Sequence, residues 1–125
     1  MPQLVERPSV IPPAGQNPKL IEEYSGRVAT KADAMSIARI VCPPGWTEVG
    51  QCPEFTETKV ILKGMLQVEH TKGLLLVRAG QAVICYPGEW VRYSACKTEG
   101  TEYVTVCVPA FSPATVHRDA EGQGY

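Results

Sequence analysis

Short apolar runs separated by glycine and proline cover most of the chain after residue 35. The runs are rich in Val, Ile, Thr and Tyr, a composition typical of β-strands. No stretch repeats its apolar positions with the helical period over three turns. Runs of this length and spacing predict an all-β sandwich or barrel. The predicted strands are 36–41, 56–62, 65–70, 74–78, 81–85, 90–95 and 102–108.

Alternation along these strands predicts which side chains point inward, because successive residues of a strand face opposite sides. In 65–70 the face with Leu66 and Val68 is predicted to be the interior. In 56–62 Glu57 and Lys59 share one face, so an acid and a base would lie one pleat apart. A register shift of one residue would turn both outward together.

At 125 residues the chain has the length of one domain. Repeated prolines and weak periodicity predict an extended N-terminal arm over 1–26, followed by a barrel over about 27–112 and a tail over 113–125. Within the arm, a proline at a first helical position and a terminal glycine predict one or two helical turns in 17–26. The tail is small and polar and is expected to be frayed, with a return of 116–118 over the barrel mouth as the alternative.

Charge and cysteine content limit the expected partners. Twelve basic and thirteen acidic residues give a net charge of −1, without a basic cluster, so no nucleic-acid partner is expected. No apolar run is long enough to cross a bilayer, so no membrane partner is expected either. The five cysteines are odd in number and lie mostly within strands, which predicts reduced thiols and a cytoplasmic protein.

Two glycine-bounded stretches carry a resemblance to a known family. They resemble the two motifs of the cupin superfamily. The first motif is Gly, five residues, His-x-His, three or four residues, Glu, six residues, Gly; the second is Gly, five residues, Pro-x-Gly, two residues, His. The stretches run over 45–64 and 80–91. The matching positions are Glu57 and Gly64 in the first motif and Gly80 and Gly88 in the second, with the proline displaced by one to Pro87.

The resemblance implies a cupin-type double-stranded β-helix, which is a jelly-roll barrel with a central pocket. It also implies that three of the four usual metal ligands are replaced, since the histidine positions hold Gly50, Cys52 and Val91 and only Glu57 is kept. No cofactor is therefore expected, and an atypical, oxygen-bound metal ion stays open as an alternative. Cys52 is either a thiolate ligand or nucleophile, or a buried apolar residue.

The candidate catalytic residue is Glu57, as the proton-transfer group. Lys59 or Arg92 would hold an anionic oxygen, and Gln51 and Tyr93 would orient the substrate. Simpler interpretations remain beside these: Glu57 and Lys59 as a structural ion pair, Arg92 in a solvent-facing ion pair with Glu89, and the tryptophans as core residues. The remaining candidates for substrate binding are Trp46, Cys52 and Glu54.

These residues predict a small-molecule-binding cupin, as an enzyme of isomerase, lyase or hydratase type or as a non-catalytic sensor or carrier. An atypical-metal enzyme and a purely structural role are further alternatives, so the sequence does not decide whether the protein is an enzyme. A homodimer is expected because small cupins commonly pair. Neither the substrate nor the reaction is fixed by the residues.

Overall fold

A computed structural model describes residues 1–13 and 17–120. Every helix or strand assigned in these residues is a β-strand, which confirms the all-β prediction. All strand pairs are antiparallel. The strands are β1 (Ser9–Val10), β2 (Leu20–Ser25), β3 (Ser36–Cys42), β4 (Thr56–His70), β5 (Gly73–Arg78), β6 (Ala82–Cys85), β7 (Val91–Ala95) and β8 (Thr101–Val108).

The long strand β4 connects the two sheets of the barrel. Its first half pairs with β6 and β8, and its second half pairs with β5 and β7. The strand bends near Gly64, where φ is +75° and a Cβ would come within 2.2 Å of the Gly100 carbonyl oxygen. The sequence predicted two strands here, because glycine usually ends a strand. The structure instead has one strand that changes partners.

The first sheet runs in the order β1-β2-β3-β8-β4, so the N-terminal arm contributes two strands to it. The prediction of helical turns in 17–26 is wrong, since Leu20–Ser25 pairs with β3 along its length. Tertiary pairing outweighs the local capping signals here, as is common for weak helix signals. Glu23 of this strand is buried and faces the barrel.

The core lies between the sheets and is built from the inward positions of the strands. Leu66 and Val68 are fully buried, which confirms the interior face predicted for the second half of β4. A smaller cluster of Phe55, Cys107 and Val116, with Phe111 packed against it, closes one end of the barrel. The rings of Phe55 and Phe111 meet edge to face at 5.9 Å.

The C-terminal segment folds back across the barrel, so the alternative holds and a frayed tail is wrong for the described residues through 119. The amide of Cys52 donates to the His117 carbonyl oxygen at 3.1 Å, and the amide of Asp119 donates to the Gly50 carbonyl oxygen at 2.8 Å. Val116 is buried between these contacts. The expected arm and tail also include 14–16 and 121–125, which lie outside the described residues. In 1–13 and 17–120 no helix has the length and hydropathy of a membrane span.

Candidate functional site

A buried ion pair occupies the interior of the barrel. The Lys59 ammonium lies 2.9 Å from Oε2 of Glu57, with side-chain exposures of 4% and 7%. Both residues lie on the inward face of β4, so they share one face as alternation predicted. The Thr105 hydroxyl on β8 donates to the same carboxylate oxygen at 2.8 Å. Thr105 lies directly opposite Lys59 in the strand register, so the sheet itself holds the three groups together.

The rest of the pair's surroundings are also polar or aromatic. Oε1 of Glu57 accepts hydrogen bonds from the Tyr93 hydroxyl at 3.3 Å and from the Gln51 amide at 3.4 Å. The Lys59 ammonium lies over the rings of Tyr93 and Tyr103, at 4.4 and 4.6 Å from their centroids. Within the described residues no buried side-chain nitrogen or oxygen lacks a hydrogen-bond partner. Each polar group of the cluster therefore has at least one partner without a ligand, and the Lys59 ammonium uses two of its three donors, on Glu57 and on the Thr105 hydroxyl at 3.4 Å.

The two charges of the pair stabilise one another. Burial disfavours each charged form, but the attraction to Lys59 outweighs it and the pKa of Glu57 is lowered. The pKa of Lys59 is correspondingly raised by Glu57. Burial keeps the neighbouring groups neutral: it raises the pKa of Tyr93 and Tyr103 well above 10, and burial with the Glu57 charge raises the pKa of Cys107 to about 12.

A cavity of about 140 Å³ lies directly above the ion pair. Its floor is polar and consists of Gln51, Glu57, Lys59 and Thr105, together with Ser36 and Cys107. Its walls are mainly apolar and come from the N-terminal strands, β3 and the C-terminal segment. The apolar wall residues are Ile11, Ile21, Val28, Ala38, Ile40, Phe111 and Pro113.

Basic side chains lie around the cavity. Lys19 pairs with Glu48 at 3.4 Å, and the Arg118 guanidinium lies 5.6 Å above the Phe111 ring. Arg27 is exposed and forms no ion pair in the part of the chain that the structure describes. The lining acid Glu23 accepts two backbone hydrogen bonds, so its charge is compensated separately.

The structure brings together half of the candidate site residues. Gln51, Glu57 and Lys59 line the cavity, and Tyr93 supports Glu57 from behind. The other four lie apart from this cluster, and each has another structural setting.

Trp46 is buried and donates to the Asn17 carbonyl oxygen at 3.1 Å. Cys52 is half-buried in the segment that pairs with the C-terminus, and Glu54 is exposed and forms an ion pair with His117.

Arg92 lies on the outer surface and pairs with Glu69 at 2.6 Å, because these residues are opposite each other on β7 and β4. The simpler interpretation of Arg92 as part of a structural ion pair therefore fits its position. Glu89, the nearest acid in sequence, instead accepts a hydrogen bond from the Tyr86 amide.

Thr105, Phe111 and Arg27 were not predicted as neighbours of the cavity, whereas Arg118 belongs to the segment 116–118 that was considered for the barrel mouth. Thr105 carries a usable signal, because alternation along 102–108 places it on the same face as the buried Tyr103 and Cys107. Arg27 follows a strand that was predicted as a helical turn, so its place beside the cavity had no signal in the local sequence.

The residues present do not fit the metal centre that the cupin resemblance implies. At position 50 a Cβ would lie 2.4 Å from the Trp90 ring, so the indole occupies the space of a side chain there. Val91 is a core residue, and the Glu57 carboxylate is bonded to the Lys59 ammonium. Among residues 1–13 and 17–120 no three His, Cys, Asp or Glu side chains form a group able to hold a metal ion.

One comparison with curated proteins changes the functional interpretation. No protein-family model matches the chain. The chain is 36% identical over 101 residues to a protein named endoribonuclease YbeY from Myxococcus xanthus. The match covers 81% of this chain and 34% of that protein, so the chain spans about a third of the length of the curated relative.

Two expectations are corrected by this finding. The prediction of a small-molecule cupin, whether isomerase-like enzyme, sensor or atypical-metal enzyme, is wrong, and so is the exclusion of nucleic acid as a partner. The first error has a physical cause in Glu57, whose carboxylate is fully bonded to an ammonium and three further polar side chains. Nucleic acid was excluded as a partner on the net charge, which does not reveal where individual basic side chains lie.

Solved structures agree on the fold. The chain aligns with the polyketide cyclase RemF from Streptomyces resistomycificus at a TM-score of 0.75 and 15% identity, over 99% of this chain and 89% of that chain. A variant of oxalate decarboxylase from Bacillus subtilis aligns at 0.72 and 15% identity, over 94% and 33%. A putative ethanolamine utilization protein EutQ from Salmonella typhimurium aligns at 0.58 and 16% identity, over 74% and 71%. The chain therefore has the cupin fold, an all-β jelly-roll barrel, as its two glycine motifs predicted.

Proposed function

We propose that this domain acts in RNA processing, by holding single-stranded RNA beside an endoribonuclease activity. The observation that carries the proposal is the 36% identity over 101 residues to the Myxococcus xanthus endoribonuclease YbeY. Because this chain corresponds to about a third of that protein, the proposal assigns RNA holding to this domain and assigns cleavage elsewhere.

The side chains beside the cavity support RNA contact. Arg27 is exposed and has no carboxylate partner in the described residues, and Arg118 lies above the Phe111 ring. Proteins hold single-stranded RNA by pairing cations with phosphates and by stacking bases on aromatic rings or guanidinium planes. With a net charge of −1, the chain would make only a few such contacts, so binding would be weak and sensitive to salt.

The interior of the barrel supports a holding role rather than a cleaving role. A general acid or base must reach the proton it transfers. Glu57 is paired with Lys59 and its pKa is lowered, so it is a poor proton acceptor at neutral pH. The two histidines lie outside the cavity lining, with His117 in an exposed ion pair with Glu54.

The test is fluorescence anisotropy with a 5′-labelled single-stranded RNA of about twelve nucleotides at low salt. The intact domain is expected to bind. The Arg27→Gln variant is expected to bind about fivefold more weakly, as one exposed charged contact of about 1 kcal/mol is lost. Arg92→Gln is the matched control, because Arg92 is paired with Glu69 on the outer surface. Absence of binding, or equal losses in both variants, would contradict the proposal.

We also propose a cytoplasmic homodimer. All five cysteines are free thiols, which suits a reducing compartment. Across four neighbouring strands the outward row Ile37, Val106, Thr58 and Ile84 is largely apolar, and two such sheet faces pack well on one another. Light scattering during gel filtration is expected to give twice the 13.6 kDa chain mass, and Ile84→Glu to give the monomer.

A further inference from the structure

We infer that the cavity receives the base of one pyrimidine nucleotide of the RNA, with the adjoining phosphate held by Arg27 and Arg118. The inference rests on the proposed function and names the part of the RNA that enters the fold. It follows from three properties of the cavity: its size, the polarity of its lining and the charges beside it.

The size of the cavity selects a single ring. A protein cavity of about 150 Å³ holds one benzene molecule, and this cavity measures about 140 Å³. A pyrimidine has one six-membered ring of this size. A purine has two fused rings and would need the walls to move. Those walls belong to paired strands, since Ile21 and Ala38 lie on β2 and β3, so they resist displacement.

The lining matches a flat ring with a polar edge. The apolar part of the lining includes Ile21, Ala38 and Ile40 from the strands and Phe111 from the C-terminal segment. The floor is polar. A buried carbonyl oxygen of a base needs a donor, and the Lys59 ammonium, which carries three donors, lies in the cavity lining. An entirely apolar ring would give the polar side chains of the floor no hydrogen-bond partner.

The charges beside the cavity favour an anionic group attached to the ring. Each of the three lining acids is compensated within the fold: Glu57 by Lys59, Glu48 by Lys19, and Glu23 by two backbone amides. Arg27 retains its charge without an ion pair in the described residues, and Arg118 lies over an aromatic ring. A phosphate one nucleotide link from the base fits this arrangement, since arginine binds phosphate through two parallel hydrogen bonds.

The experiment compares labelled U8, C8 and A8 RNA by fluorescence anisotropy with the intact domain. Both pyrimidine strands are expected to bind at least about tenfold more tightly than A8, as the purine strand loses base insertion. Ala38→Leu adds carbon atoms to the cavity wall and is expected to lower U8 affinity to the A8 level. Ala82→Leu, at an exposed position on β6, is the matched control.

A second measurement does not depend on the folding of a variant. UMP and CMP are expected to displace labelled U8 from the wild-type domain at concentrations about tenfold lower than AMP, uridine or inorganic phosphate do. If no RNA binds at all, the proposed function fails and this inference fails with it. If U8, C8 and A8 bind equally, or if a folded Ala38→Leu domain binds U8 like wild type, the inference is overturned while the proposed function stands.

Discussion

Removal of the Lys59 ammonium provides a strong test of how this barrel is stabilised. The Lys59→Met substitution keeps an unbranched side chain, one atom shorter, but leaves the Glu57 carboxylate buried without its cation. Breaking a buried pair in this way costs about 3–5 kcal/mol. Unfolding entropy is about 2.1 cal/mol/K per residue, and the chain has 125 residues. The melting temperature should therefore fall by roughly 11–19 °C.

Mutating Glu57 as well separates the free-energy cost of an unpaired buried charge from the net contribution of the ion pair to stability. In the double variant Lys59→Met with Glu57→Gln no uncompensated charge remains, and the stability should return to within about 1–2 kcal/mol of wild type. Urea unfolding followed by circular dichroism gives the four free energies of this double-mutant cycle. Glu57→Gln alone leaves the Lys59 ammonium buried without its partner and should also cost about 3–5 kcal/mol. The coupling energy should therefore be about 4 kcal/mol or more.

A matched control is the exposed pair Arg92 and Glu69, whose atoms lie 2.6 Å apart on neighbouring strands. This distance is shorter than the 2.9 Å of the buried pair, yet solvent screening limits its coupling to about 0.2–1 kcal/mol. The reasoning is refuted if Lys59→Met costs less than about 1 kcal/mol, or if the buried pair shows no more coupling than the exposed pair.

Four further predictions follow from individual groups. The pKa of Glu57 is lowered in the folded state, so its contribution to stability is complete above the unfolded pKa and is lost as pH falls through the folded pKa. Glu57→Gln should therefore flatten the acid side of a curve of stability against pH, measured by urea unfolding. Gly64→Ala brings a Cβ to 2.2 Å from a carbonyl oxygen at a φ of +75°, so it should lower the free energy of unfolding in urea by at least about 2 kcal/mol. Gly80→Ala has open space around the new Cβ and should lower it by about 1 kcal/mol, from backbone strain alone. Iodoacetamide at pH 8 should label Cys96, whose pKa is lowered by the Thr98 hydroxyl, long before Cys107, whose pKa is about 12, and peptide mass spectrometry reads the order. With two phosphate contacts, the RNA affinity should fall with a log-log salt slope of about −1.4, or about sevenfold between 50 and 200 mM salt, and a flat response in anisotropy titrations would exclude such contacts.

Much of the barrel was predictable because its strands carry a clear alternation of apolar and polar residues. Alternation placed Glu57 and Lys59 on one face, and the cupin resemblance implied that Glu57 points inward, whereas the direction of Lys59 was left open by the sequence. The strand β2 was not predicted, because its local capping signals favour a helix and only its pairing with β3 reveals the strand. Two strands were predicted on either side of Gly64 for the same reason. The continuity of β4 is visible only from its pairing with β8 before Gly64 and with β5 after it.

The site was less predictable because its members come from separate strands and loops. Thr105 lies opposite Lys59 because of the register of β8 against β4. Arg92 lies opposite Glu69 because of the register of β7 against β4. Neither register is contained in a local pattern. The position of Arg27 depends on a strand that the sequence did not reveal.

The central claim is that RNA enters the cavity beside Arg27, and photo-crosslinking tests it most directly. A short RNA containing 4-thiouridine would be irradiated with the domain, and the adduct located by peptide mass spectrometry. The account predicts adducts on residues that line the cavity, foremost on the aromatic ring of Phe111, and their loss in Arg27→Gln. Adducts confined to the outer sheet face around Ile84, or none at all, would contradict it.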